Sequence, residues 1–137
     1  NKTAIGDTFQ QLAQKLTKRG VVLVISDLFD EAKSVLNGLR HLRHRQHDLA
    51  VLQILDPAEL SLPFDRPTLF RGLEGMPDLT TQPRTIRAAY QAELNGFLKQ
   101  LKRGCLDNEI DYRLVSTDQS VDVALSAFLS SRRVGRR

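Results

Sequence analysis

A run of five aliphatic residues, Val21 to Ile25, constrains the fold of this chain more than any other feature. The run does not alternate with polar residues, and four of its members are β-branched. Such a segment is typical of a strand buried on both faces of a parallel sheet. Residues 49–55 and 111–116 are predicted to form two further strands. Helical segments precede, separate and follow these strands, and that alternation predicts an α/β fold with helices on both faces of a parallel sheet.

Four helices are predicted from apolar residues that recur at spacings of three and four. Asp30 is placed to cap the second helix, and Pro83 suits the first position of the third. The apolar stripes are Ile5, Phe9, Leu12, Ala13 and Leu16; Ala32, Val35, Leu36, Leu39 and Leu42; Ile86, Tyr90, Leu94, Phe97, Leu98, Leu101 and Cys105; and Val121, Ala124, Leu125, Phe128 and Leu129.

The chain is interpreted as one domain, residues 1–137, with two distinct segments. Residues 56–83 contain all five prolines and no helical period, so they are predicted to form an insertion with a small hairpin. Residues 130–137 contain four arginines and no acid, and the remainder of the chain carries no net charge. A basic tail on a neutral body does not supply the basic face that nucleic-acid binding requires, so we expect the tail to be solvated.

Composition excludes several other classes. A bilayer span needs roughly 18 consecutive apolar residues, and no run approaches that length. The single cysteine excludes an internal disulfide framework and a multi-cysteine zinc site, and no apolar signal segment begins the sequence. We therefore expect a reducing, cytoplasmic location. The serine-hydrolase, zinc-protease, phosphate-loop and dinucleotide-binding motifs are also absent.

Polar residues follow each predicted strand, at the edge where open parallel sheets bind ligands. Carboxylates and hydroxyls are ligands suited to Mg²⁺ or Mn²⁺, which makes a metal site one interpretation. The alternative is that these residues cap helices and shape turns. They are Ser26, Asp27 and Asp30 after the first strand, Asp56 after the second, and Thr117 and Asp118 after the third.

Two other groups of reactive residues are given structural interpretations. His41, His44 and His47 recur every third residue, but on a helix the first and third would point about 120° apart. Cations at the C-terminus of a helix explain them better than a metal cluster does. Cys105 lies on an apolar stripe, which favours a buried core thiol over a nucleophile. No catalytic residue is predicted.

The segments VVLVISDLFD (21–30) and LRHLRHRQHDLAVLQILDPAELSLPF (39–64), with TLFRGLEG, PRTIRAAY and GCLDNEIDYRLVSTDQSVDVAL after them, resemble a bacterial family of von Willebrand factor type A-like proteins. This family is known as domain of unknown function fifty-eight. The resemblance is to the C-terminal half of the domain and extends over essentially the whole chain. It implies a three-layer α/β sandwich, a partial von Willebrand factor A fold that is Rossmann-like, with about three parallel strands, four helices and the hairpin insertion.

The resemblance also implies a divalent-cation site. In the von Willebrand A fold the cation is held by a D-x-S-x-S loop after the first strand, a threonine in a loop later than that one, and an aspartate after the fourth strand. By the resemblance, Asp27 matches this aspartate and Thr3 matches the threonine, with Thr8 a weaker candidate. The family's D-x-S-x-S loop is missing from the sequence, so we expect a truncated domain with an incomplete site. Mg²⁺ or Mn²⁺ would bind the complete domain, but we expect no tightly bound metal in this chain. Rim positions are assigned to Ser26, Asp30, Asp56 and Asp118.

The function implied by the resemblance is a non-enzymatic adaptor that works with a MoxR-type AAA ATPase through this cation site. One alternative is a small Mg²⁺-dependent hydrolase or phosphotransfer domain that uses Asp27, Asp30 and Asp118. Another is a scaffold with no metal role. Because truncation would remove a neighbour of the first strand, we also expect a homo-oligomer, formed through the exposed edge strand or a helix face.

Overall fold

The computed structural model describes residues 4–61 and 83–134, and it confirms the predicted α/β fold. Three strands pair in parallel in the order β1-β2-β3, with Leu23 beside Ala50 and Ile54 beside Val115. The described elements are α1 (Ile5–Lys15), β1 (Val21–Ser26), α2 (Ala32–His44), β2 (Asp48–Leu55), α3 (Pro57–Ser61), α4 (Pro83–Asp107), β3 (Asp111–Ser116) and α5 (Val121–Val134).

Three helices, α1, α2 and α4, cover what we call the front face of the sheet. Their apolar stripes meet Val24, Leu49 and Val51 in the main core, which includes Cys105. The helices α1 and α2 pack closely because both carry glycine at their contact. A Cβ on Gly38 would lie 2.8 Å from the carbonyl oxygen of Gly6. Small residues thus set the spacing between these two helices.

One helix, α5, covers part of the opposite face, which we call the back face. Phe128 packs there with Ala50, Leu52 and Val115. The guanidinium of Arg132 lies 2.6 Å from a carboxylate oxygen of Asp48 and 3.3 Å from one of Asp111, so it joins α5 to β2 and β3. The expectation of a solvated tail is therefore wrong for Arg132, whose side chain is only 13% exposed.

Two further expectations differ from the structure. In the part of the chain that the structure describes, β1 is covered on its front face alone, so Val24 is buried whereas Val21, Leu23 and Ile25 are exposed. The aliphatic run identified a strand correctly but not the number of its covered faces. The insertion begins with α3, so the described residues contain five helices instead of four. The predicted hairpin lies outside the described residues.

Candidate functional site

The parallel pairing brings the polar residues that follow each strand to one edge of the sheet. Two of them meet directly: the Thr117 hydroxyl donates to a carboxylate oxygen of Asp56 over 2.9 Å. This hydrogen bond connects the segments that follow β2 and β3. Asp118 lies exposed in the turn that follows. The structure therefore brings Asp56 and Thr117 together, and the chemistry of this edge depends on how each carboxylate is used.

The loop between β1 and α2 presents Asp27 to solvent. One oxygen of its carboxylate accepts a hydrogen bond from the backbone N–H of Phe29 at 3.1 Å, and the Ser26 hydroxyl accepts one from the N–H of Leu28 at 3.0 Å. Leu28 itself is fully buried and has a φ of 58°, a conformation that side-chain-bearing residues rarely adopt. The buried leucine and the two side-chain hydrogen bonds hold this turn in place.

Two polar side chains of the neighbouring strands, Gln53 and Tyr112, support the same loop. The Gln53 side chain is fully buried in β2 and donates to the carbonyl oxygen of Asp27 over 2.7 Å. Its own amide oxygen accepts from the Tyr112 hydroxyl at 2.5 Å. Burial raises the pKa of Tyr112 to about 12, with the nearby Cys105 adding to the effect, so the phenol stays protonated as a donor. Hydrogen bonds thus connect Tyr112 in β3, through Gln53 in β2, to the backbone of Asp27 directly after β1.

Asp30 has a different role from the predicted one. Its two carboxylate oxygens accept from the backbone N–H groups of Ile5, at 2.8 Å, and Glu31, at 2.7 Å. The N-cap position of α2 is Glu31, and Asp30 instead satisfies a free N–H group at the start of α1. Asp30 therefore joins α1 to the β1–α2 loop and has both oxygens engaged.

Asp56 serves as a local cap for α3. One of its oxygens accepts from the N–H of Ala58 at 2.8 Å, while Glu59 accepts from the N–H of Asp56 at 2.8 Å. This reciprocal pattern is a capping box. With the hydroxyl of Thr117 on its other oxygen, Asp56 is also engaged on both sides. The interpretation of these carboxylates as caps and turn formers is the one that their contacts support.

The donors at this edge do not fit a complete metal site. In residues 4–61 and 83–134, no group of three or more histidine, cysteine, aspartate or glutamate side chains could hold a metal ion. Asp27 uses one carboxylate oxygen in its hydrogen bond with the backbone N–H of Phe29, and Thr3 lies outside the described residues. A compact divalent cation needs several oxygen ligands in near-octahedral geometry. The described part of the chain does not supply that set.

The remaining reactive residues lie in structural positions. Cys105 is buried, as predicted, and burial raises the pKa of its thiol to about 11, which leaves it a poor nucleophile. His41 and His44 are exposed in the last turns of α2, as predicted. His47 differs, because it is 2% exposed and neither ring nitrogen has a hydrogen-bond partner among the described residues.

An open cavity of about 600 Å³ lies at the opposite edge of the sheet, where β2 and β3 begin. Its charged lining is internally compensated, since Arg43 pairs with Glu109 at 2.9 Å and Arg132 pairs with both Asp48 and Asp111. Such a lining favours neither a cation nor an anion. The cavity is part of the packing between α5 and the sheet.

Sequence reasoning missed Gln53 as a residue that positions the Asp27 loop. A signal was present, because Gln53 is the one polar residue between Leu49 and Leu55 in an otherwise apolar strand. A buried polar side chain needs a partner, so its position inside a buried strand indicates a specific hydrogen bond.

Comparisons with known proteins give one positive finding. The sequence profile of the family described as "Protein of unknown function DUF58" matches residues 1–96. No curated protein and no solved structure gives a significant match. None of the described helices combines the length and the apolar character that crossing a bilayer requires.

Proposed function

Since the chain belongs to the DUF58 family of proteins of unknown function, we propose that it is a non-enzymatic protein-interaction module whose contact surface is the loop between β1 and α2. The observation that carries the proposal is the contrast between a fixed backbone and an exposed carboxylate at Asp27. The Gln53 side chain donates to the carbonyl oxygen of Asp27 over 2.7 Å, while the side chain of Asp27 remains exposed. A loop fixed before binding loses little conformational entropy when a partner docks.

The contacts of the other rim residues favour binding over catalysis. Both oxygens of Asp30 and both of Asp56 accept hydrogen bonds within the fold, which gives these two carboxylates a structural use. Cys105 is buried in the main core, and because burial raises its pKa to about 11, the thiol is protonated at neutral pH. Phosphatase activity that required Mg²⁺ and was lost in Asp27→Asn would overturn this part of the proposal.

We further propose that this chain binds no divalent cation tightly. The resemblance to von Willebrand A-like proteins assigns Mg²⁺ or Mn²⁺ to Asp27 and Thr3 in a complete domain, but the described donors do not form such a site. Calorimetric titration with each cation should show only weak heats. A tight one-to-one site would contradict the proposal.

The partner class implied by the resemblance is a MoxR-type AAA ATPase, and binding to the purified ATPase tests it. Asp27→Asn removes the exposed charge and keeps the shape of the side chain. Asp107→Asn is the matched control, because Asp107 is an exposed acid at the C-terminal end of α4, next to the edge of the sheet where β3 begins.

In an immobilised-ATPase assay, Asp27→Asn should weaken binding about tenfold, the effect of losing roughly 1.4 kcal/mol at a contact. Asp107→Asn should bind like the unmodified chain. Equal loss in both variants would show non-specific charge attraction instead of recognition by the loop. No binding by the unmodified chain would refute the assigned partner class.

A further inference from the structure

Two neighbouring helices bring a group of basic side chains to the edge of the sheet where β1 and β2 begin. The helices α1 and α2 pack side by side, and each leads into the start of a parallel strand, so both end at this edge. The backbone N–H of Asp48 donates to the carbonyl oxygen of Gly20 over 2.9 Å, which joins the segments before the two strands. The basic side chains that meet here, which we call the basic edge, are Lys15, Lys18, Arg19, Arg40, His41, His44 and Arg45.

No acid balances these side chains on their own segments, because residues 8–26 and 32–47 contain no aspartate or glutamate. Within residues 4–61 and 83–134, the members of the basic edge form no ion pair. Acids from other elements reach this end of the sheet, but each pairs with a cation outside the basic edge: Asp48 and Asp111 with Arg132, Asp107 with Arg103, and Glu109 with Arg43. The basic edge therefore carries uncompensated positive charge.

The helix dipole explains only part of this charge. Cations in the last turn of a helix are stabilised by the free carbonyl groups there, and the effect fades beyond that turn. Lys15 and His44 occupy such positions at the ends of α1 and α2. Lys18 and Arg19 follow the end of α1, so the dipole does not account for them. A positive surface without counter-charges favours an anionic partner.

The composition of the basic edge also determines what can cover it. Five of its seven members are lysine or arginine, and all seven residues are exposed. Such side chains are almost never buried without a counter-charge, so any segment that covered them would itself have to be acidic.

The neutral net charge of the body does not describe the field at this edge. The acids that follow β1 lie beyond its six residues, about 20 Å away. Salt screens exposed charges over about 8 Å at physiological ionic strength. A ligand at the basic edge therefore meets the positive charge of that edge, and the acids at the opposite edge of the sheet do not cancel it.

We propose that the basic edge is a second contact surface, which binds an acidic segment of a partner protein. Carboxylates form charge-assisted hydrogen bonds with arginine and lysine. The ends of α1 and α2 also present free carbonyl groups, as helix ends do, and the backbone of a peptide can donate N–H groups to them. The backbone of DNA carries acceptors alone. None of the phenylalanine and tyrosine residues that the structure describes is exposed, so no such ring is available to stack on bases.

Fluorescence anisotropy with a labelled peptide tests the proposal. The probe is a blocked decapeptide of alternating glutamate and alanine, and the same peptide with glutamine in place of glutamate is the control probe. The acidic peptide should bind, and its affinity should fall at least about fivefold between about 50 and 200 mM salt, because exposed ion pairs are screened. No binding, equal binding of the two peptides, or an affinity that does not respond to salt would overturn the proposal.

Neutral variants locate the binding surface. Lys15→Gln with Lys18→Gln removes two cations from the α1 side of the basic edge, and Arg40→Gln with Arg45→Gln removes two from the α2 side. Each double variant should weaken binding of the acidic peptide by about fivefold, the effect of losing two exposed ion pairs. Loss in one double variant alone would contradict a surface formed by both helices.

Lys33→Gln with Lys99→Gln is the matched control, because both lysines are exposed, lie outside the basic edge and give the same change in net charge. This variant should bind the acidic peptide like the unmodified chain. An equal loss would show attraction by net charge instead of a defined surface. Because Asp27 lies at the other end of β1 and is unchanged in every variant, these results are independent of its proposed role.

Hexathymidylate separates a protein partner from a nucleic acid. Its five phosphodiester groups match the five glutamates of the peptide in charge. In the same assay, it should bind at least about threefold more weakly than the acidic peptide, because its backbone donates no hydrogen bonds to the helix ends. Binding as tight as that of the peptide, or tighter, would overturn the assignment of a protein partner.

Discussion

The close contact between α1 and α2 predicts that the same substitution will have opposite effects at two glycines. Gly38→Ala adds a Cβ 2.8 Å from the carbonyl oxygen of Gly6 and 2.8 Å from the Cβ of Phe9. Both atoms are held rigidly, so the helices must separate by about half an ångström to reach an ordinary contact distance. Gly96→Ala, in the middle of α4, adds a Cβ that meets nothing within 4 Å.

The magnitudes follow from two opposing terms. Inside a helix, alanine is more stabilising than glycine by about 1 kcal/mol, and both substitutions add this amount to the free energy of unfolding. Overpacking a close contact costs about 1–3 kcal/mol, and Gly38 has rigid neighbours that place it near the upper end. We expect Gly38→Ala to lower the free energy of unfolding by about 1–2 kcal/mol, and Gly96→Ala to raise it by about 0.5–1 kcal/mol.

Equilibrium unfolding in urea, followed by far-ultraviolet circular dichroism, measures both values. Gly104→Ala provides an intermediate case, because its added Cβ would meet only the flexible end of Leu36. The reasoning would be refuted if Gly38→Ala stabilised the protein as much as Gly96→Ala does. That result would mean that the two helices can separate at no cost.

Three further predictions concern buried polar groups. Arg132→Met should lower the unfolding free energy by about 1–2 kcal/mol, because two aspartates lose their shared cation; an unchanged melting temperature would contradict this. The Cys105 thiol has its pKa raised from 9.0 to about 11, so the folded state keeps its proton longer than the unfolded state does. The free energy of unfolding should therefore fall by up to about 3 kcal/mol as the pH rises from 9.0 to about 11. In urea unfolding curves recorded across this pH range, Cys105→Ala should show a smaller decrease. Gln53→Leu should cost about 2–3 kcal/mol by leaving the Tyr112 hydroxyl without its acceptor, and adding Tyr112→Phe should recover part of the loss in melting temperature.

The strands were the most predictable part of the fold. The aliphatic run from Val21 fixed β1 to within one residue, and the predicted bounds of β3 match the structure. The exposure of Val21 and Ile25 was not predictable, because the residues of a strand do not say which helices will cover it. Coverage is decided by where α5 packs, over β2 and β3, and no local pattern encodes that.

For the candidate site, the positions of the residues were predictable from the sequence, but their contacts were not. The positions of Asp27, Asp56 and Thr117 at one edge followed from parallel pairing, which the sequence predicted. The use of Asp30 did not follow, since its partner Ile5 lies 25 residues away and its spacing suits a cap for the nearer helix. Arg132 looked like part of a basic tail because its two aspartates are distant in sequence.

Among the described helices, α5 alone packs on the back face, and this position has a consequence for local unfolding. This helix rests on a small apolar cluster around Phe128 and on the ion pairs of Arg132, whereas α2 is embedded in the main core. Segments with few buried contacts undergo local unfolding at a lower free energy than the global transition. Amide hydrogens of α5 should therefore exchange with solvent well before those of α2, and limited proteolysis should cut within α5 before it cuts within α2.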